Sequence, residues 1–127
     1  MSTQIIRTIH YLKWKQLEAF PNFFVSNTGL VRFKSTVLKP KFRKGRIDYY
    51  YIIATNHDTG SMHRLDIHRL VWDHFGNEPH QKGYEVHHID ENPTNNNISN
   101  LELLPLIKHR RKHERWAIKT GQIINQP

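Results

Sequence analysis

The chain has 127 residues, of which 37% are apolar, enough for one domain with a modest core. It contains no cysteine, which excludes a disulfide framework and a thiolate metal site; any metal must be held by His, Asp, Glu or Asn. No apolar run approaches a bilayer span and the N-terminus lacks a signal-peptide core, so a cytoplasmic protein without a membrane partner is expected.

The first half reads as strands and turns. "NFFVSNTGLVRF" places short β-type runs around the turn signal Asn27-Thr28-Gly29, and "STVLKP" is a second short strand stopped by Pro40. "IDYYYIIATNHDTGSMHRLDI" reads as a hairpin about the turn Asn56 to Gly60. Together these predict a small twisted antiparallel sheet. "HRLVWDHFG" then reads as a short helix with Leu70, Val71, Trp72 and Phe75 on its apolar face and Gly76 at its end. "GYEVHHI" is a short strand, "DENPTNNNISN" a long polar turn, and Leu101 to Leu104 a second strand. Pro105 is expected to open a helix through "LIKHRRKHERWAIKT", ending at Gly121. The second half is thus a ββα unit, and the fold class is α+β.

The formal net charge is +8 and is unevenly placed. Arg32, Lys34, Lys39, Lys41, Arg43, Lys44 and Arg46 form one window without an acid; Lys108, Arg110, Arg111, Lys112, Arg115 and Lys119 form another against Glu114 alone. Solvated surface is the plain reading of such residues. Two dense clusters of one sign fit the electrostatic footprint of a polyanion, and nucleic acid is the expected partner.

His109 and His113 are four apart on the predicted last helix and share a face. Leu106 and Trp116, with Ile107 as a further candidate, would hold that helix on its hairpin. His87 and His88 lie on the first hairpin strand, where neighbours point to opposite faces. His87, His109 and His113 could then hold one metal ion, leaving His88 as a general base near pH 7. Asn92, Asn95, Asn96 and Asn97 read mostly as turn chemistry. Asn100 sits where the loop rejoins the hairpin, and its amide can bond across the loop to fix the strand carrying His88.

At these residues "VHHIDENPTNNNISNLELL", with His109 downstream, resembles the HNH endonucleases, whose active site is a ββα-metal fold. It is most similar to the phage and intron homing branch, where the loop commonly reads H-x-D-G-N-P-x-N-N; here Glu91 replaces the Gly. "WKQLEAFPNFFVSNTGLVRF", with W…F-x-x-x-x-V-S-N-x-G-x-V-R, resembles the small β module often fused before HNH domains in those enzymes. The resemblance divides the chain into a DNA-binding module over 1–66 and a nuclease domain over 67–127. By position, His88 matches the family's general base, Asn100 its central Asn and His109 its second His. His87 takes the metal-ligand position before the base, and His113 matches an extra helix histidine of colicin-type nucleases.

The resemblance implies metal-dependent hydrolysis of double-stranded DNA by a monomer or weak homodimer, with 5′-phosphate and 3′-hydroxyl products. One divalent ion, of the Mg²⁺, Mn²⁺, Zn²⁺ or Ni²⁺ kind, would serve as cofactor. The first basic window would lie along the duplex, and Arg110, Arg111 and Arg115 would hold phosphates near the cut. Two alternatives stand beside this: a DNA-binding protein that does not cut, and a structural metal site, for which Asp90 is the obvious fourth ligand.

Overall fold

The computed structural model describes residues 12–42 and 49–107. Four short strands, β1 (Trp14–Gln16), β2 (Phe23–Ser26), β3 (Val31–Phe33) and β4 (Thr36–Val37), form an antiparallel meander in that order. A separate hairpin pairs β5 (Tyr51–Thr55) with β6 (Met62–Asp66). Its turn is closed by the Asn56 side chain, which accepts from the Asp58 and Thr59 amides at 2.9 and 3.1 Å. The single expected sheet is therefore two; among the described residues, the stretch after β4 meets β5 through a backbone bridge between Lys41 and Tyr51. The architecture is α+β, as expected.

Strand β6 runs directly into the helix α1 (Ile67–Phe75), because the Tyr50 carbonyl accepts the first helical N–H, from Ile67, at 2.9 Å. Asp66 gives no side-chain cap; its carboxylate takes Arg64 Nε–H at 3.0 Å instead. A helix of nine residues is marginal alone. Burial of Ile67, Leu70, Val71 and Trp72 holds it, each side chain contributing about 1.5–3 kcal/mol. Gly76 ends it as expected, but not in the left-handed conformation: its φ is −66°. A Cβ there would lie 2.6 Å from the Trp72 carbonyl oxygen and 2.7 Å from its indole, so close approach is what demands glycine.

The second hairpin pairs β7 (Tyr84–His88) with β8 (Leu101–Pro105), the latter preceded by a 3-10 turn, Ile98–Asn100. Pro105 closes β8 opposite Tyr84, and the described residues after it, 106–107, are helical, so a helix starts at the proline as expected; Leu106 N–H still donates to the Gly83 carbonyl at 2.8 Å. Leu106 is half-buried while Ile107 is exposed, so Ile107 does not hold the hairpin. Trp116 and the rest of the expected last helix lie outside the described residues. One buried cluster runs through all these elements: Val25 and Val31 from the meander, Ile52 and Ala54 from β5, Val71 and Trp72 from α1, Val86 and Leu101 from the second hairpin. Among the described residues no helix is long and apolar enough to cross a membrane.

Candidate active site

His87 and His88 end β7, and the alternation of the strand sends them to different partners. Both are buried, at 3% and 4% exposure. His87 Nδ1–H donates to Glu102 Oε1 at 3.0 Å across the strand pair, where the two residues face each other in register. A proton on Nδ1 leaves the lone pair of the neutral ring on Nε2, which lies 3.9 Å from Glu91 Oε1.

His88 Nε2–H donates to Asn96 Oδ1 at 2.8 Å in a buried bond, which puts its lone pair on Nδ1. Its ring is flanked by Tyr49, with centroids 5.7 Å apart and planes 17° apart, and by His68 of α1 at 5.2 Å. Tyr49 and His68 lie against each other at 4.3 Å. The imidazole of His88 is thus fixed in plane by two rings and in tautomer by one amide.

Asn100 organises the loop between the strands. Its Nδ2 donates to Asp90 Oδ1 and to the Asn95 carbonyl, both at 2.9 Å, and its Oδ1 accepts from the Asp90 amide at 3.1 Å. Its own carbonyl accepts from Ile89 N–H at 2.8 Å. The cross-loop role expected of Asn100 is what the geometry shows. Asp90 is used up by the same network: the Asn95 side-chain amide, the Asn92 backbone amide and the Asn100 side chain, in that order, hold its carboxyl below the usual carboxylate range. Desolvation opposes the shift but is outweighed.

Asn92 and Asn97 are turn residues as expected, each accepting from an amide two positions on. Asn96 departs from that reading. It is 5% exposed, and its carboxamide is the partner of His88. No local signal distinguishes it from its neighbours in the asparagine run. The reason lies in the N-terminal meander, whose turn packs on it: Gly29 has φ +93°, and a Cβ there would fall 2.7 Å from Asn96 Cβ. The Asn27 carbonyl accepts from Ile98 N–H at 2.9 Å, tying the same turn to the same loop. Ser26 shapes the turn from inside, its buried hydroxyl accepting from the Leu30 amide at 2.9 Å. Tyr49, His68 and Glu102 also escaped the sequence reading, because each reaches the site only through tertiary packing or strand pairing.

Glu91, which stands where the homing loop has Gly, adopts φ +61°. That left-handed conformation costs a side-chain-bearing residue about 1–2 kcal/mol. Its amide closes the turn on the His88 carbonyl at 2.9 Å.

Of the expected metal ligands, His87 is placed here; His109 and His113 lie outside the described residues, and among those described no three His, Cys, Asp or Glu side chains cluster to hold an ion. Of the expected DNA contacts, Lys34, Lys39 and Lys41 are exposed, whereas the Arg32 guanidinium lies 4.0 Å from the Phe24 ring centroid and 4.8 Å from that of Trp14. Arg43, Lys44, Arg46, Arg110, Arg111 and Arg115 lie outside the described residues.

Comparison with known proteins agrees with this geometry. Residues 66–111 match the family model described as HNH endonuclease. A protein of Acanthamoeba polyphaga mimivirus, named as an uncharacterized HNH endonuclease, is 39% identical over 111 residues, covering 86% of this chain and 31% of the relative. A solved structure titled as DNA binding and cleavage by the HNH homing endonuclease I-HmuI superposes with a TM-score of 0.69 at 27% identity, covering 89% of this chain and 62% of that one. The chain thus spans about a third of the viral relative and less than two thirds of the solved one. The ββ hairpin with its paired histidines and amide-rich loop is therefore the core of an HNH endonuclease domain, which this chain carries over residues 66–111.

Proposed function

We propose that the chain is a metal-dependent endonuclease that hydrolyses phosphodiester bonds in double-stranded DNA, with His88 as general base and one divalent ion. The observation that supports it most is the opposite locking of two adjacent imidazoles, His88 through Nε2 by Asn96 and His87 through Nδ1 by Glu102. His88 Nδ1 takes the proton from the attacking water, and an imidazole is suited to that task near pH 7. Asn96 Oδ1 strengthens its bond as the ring becomes charged, because hydrogen bonds from charged donors are the stronger ones. Tyr49 and His68 keep the ring in plane, so little reorientation is needed during reaction. Asn100 carries no proton; it fixes the loop that holds Asp90 and Asn95 in place.

His87 has the surroundings of a metal ligand. A buried imidazole backed by a carboxylate has its tautomer and direction set and its basicity raised, which is the arrangement a ligating histidine needs. His87 would hold the ion through Nε2, with His109 and His113 completing the set. When bound, the ion supplies Lewis-acid stabilisation of the negative charge that grows on the phosphate.

The N-terminal residues 1–66 form the DNA-holding module in this reading and 67–127 the cutting one, in a monomer or weak homodimer. Lys34, Lys39 and Lys41, with Arg43, Lys44 and Arg46, lie along the phosphates, and Arg110, Arg111 and Arg115 grip near the cut. Arg32, stacked on two rings, is pre-organised for the same contact.

The test is supercoiled plasmid incubated with the full chain and a series of divalent ions. Wild type should nick or linearise it, and His88→Ala should slow cutting by about 100-fold or more while DNA binding in a gel shift persists. If His88→Ala cuts at the wild-type rate, the assignment of the base fails. A wild type that binds DNA but never cuts would favour the non-cleaving alternative.

A further inference from the structure

We infer that Glu91 is an oxygen ligand of the metal site, taking the position at which the homing loop carries glycine. The inference rests on the metal-dependent reading above and adds a donor to it. Asp90, the obvious carboxylate in the sequence, has both oxygens committed to Asn95, Asn92 and Asn100. Glu91 has its backbone in the left-handed region at φ +61°, where glycine sits without strain, and yet the chain places a long acidic side chain there. That side chain turns back along its own hairpin to bring Oε1 within 3.9 Å of His87 Nε2.

Nδ1 of that ring is held by Glu102, so Nε2 is the atom that faces an ion. Two donors of one ion bonded at about 2.0–2.2 Å stand roughly 3–3.6 Å apart. A separation of 3.9 Å therefore closes to a ligand pair with a small side-chain adjustment. Backbone strain retained at a site is a mark of function when the side chain it presents meets a reactive group. A carboxylate at this point also changes the chemistry. His87, His109 and His113 alone would make a nitrogen site suited to Zn²⁺ or Ni²⁺; one carboxylate oxygen moves the preference toward Mn²⁺ and Mg²⁺.

The experiment measures Mn²⁺ and Zn²⁺ binding to the full chain by calorimetry without DNA, together with the melting temperature of the metal-free protein. Two variants separate backbone from ligand. Glu91→Gly relieves the left-handed strain and should raise the metal-free Tm by a few degrees while weakening Mn²⁺ binding about tenfold or more. Glu91→Gln keeps the strain and should weaken Mn²⁺ binding to a similar degree with no rise in Tm. Zn²⁺ binding should fall less than Mn²⁺ binding in both. If wild type binds Mn²⁺ and either variant binds it equally well, Glu91 is no ligand and its approach to His87 is ordinary charge pairing. A wild type that binds neither ion overturns the metal-dependent reading itself, and this inference with it.

Discussion

Gly29 lies in the N-terminal meander, yet its substitution should disable a histidine in the other half of the chain. In Gly29→Ala the new Cβ meets Asn96 Cβ at 2.7 Å and the Asn96 carbonyl carbon and oxygen at 3.1 Å. Ordinary contact begins near 3.4 Å, so Asn96 must retreat by about 0.7 Å. It cannot do so freely, because Ile98 is tied to Asn27 and the Asn95 carbonyl to Asn100. A shift of that size disrupts the 2.8 Å bond to His88. Leaving the buried Nε2–H unsatisfied costs about 1–3 kcal/mol. Alanine at a φ of +93° adds about 1–3 kcal/mol of backbone strain. The sum is a large share of the roughly 5–15 kcal/mol that stabilises a typical domain. It should lower Tm by roughly 10–20 °C at this chain length.

Below that melting point, plasmid cutting should fall by about 100-fold, the usual consequence of a misplaced catalytic group, while plasmid binding stays near wild type. Gly60→Ala supplies the control. Gly60 has φ +71° but nothing within 4 Å of a new Cβ, so it carries the backbone strain without the collision. It should lose stability and keep its rate. If Gly29→Ala, shown to be folded, cuts as fast as Gly60→Ala, the coupling of the meander to His88 through Asn96 is wrong.

The acid limb of stability should be set partly by Asp90. Its carboxyl is held below the ordinary value chiefly by Asn95, then by Asn92 and Asn100, so its contribution is fully present above the unfolded carboxylate value and is lost as pH falls through the folded one. The protection factor of the Asn92 amide, whose N–H donates to Asp90 Oδ1, should therefore fall only as pH drops below the ordinary carboxylate value, and Asp90→Asn should abolish that step; a protection factor that falls already near neutrality would contradict it. For DNA binding, replacing Lys34, Lys39 and Lys41 by Ala should weaken affinity alike for all sequences and flatten the salt dependence by about 0.9 log units of slope per lost phosphate contact, read by fluorescence anisotropy across a salt series; an unchanged slope would return these lysines to ordinary surface.

The sequence by itself determined the elements, because their signals are local. Aromatic and β-branched runs between turn residues mark β2 and β5, an asparagine-glycine turn marks the first hairpin, and the apolar face of Leu70, Val71, Trp72 and Phe75 marks α1. It also determined the role of Asn100, whose position at the re-entry of a polar loop leaves a side-chain amide little else to do than bond across it. Pro105 marks the start of the helical residues 106–107 as the sequence suggests, while its pairing with Tyr84 at the end of β8 shows only in the register of the two strands.

The tertiary structure alone decided which of Asn92, Asn95, Asn96 and Asn97 holds His88, because that choice depends on a glycine 67 positions before Asn96 coming to rest against it. It alone set the tautomers of the two histidines, through Glu102 across the strand pair and Asn96 across the loop. It alone brought Tyr49 and His68 to the face of His88. Periodicity along a chain reports which face of an element is buried. It carries no information about which distant side chain lies opposite, and a proton's place on an imidazole is decided by that distant partner.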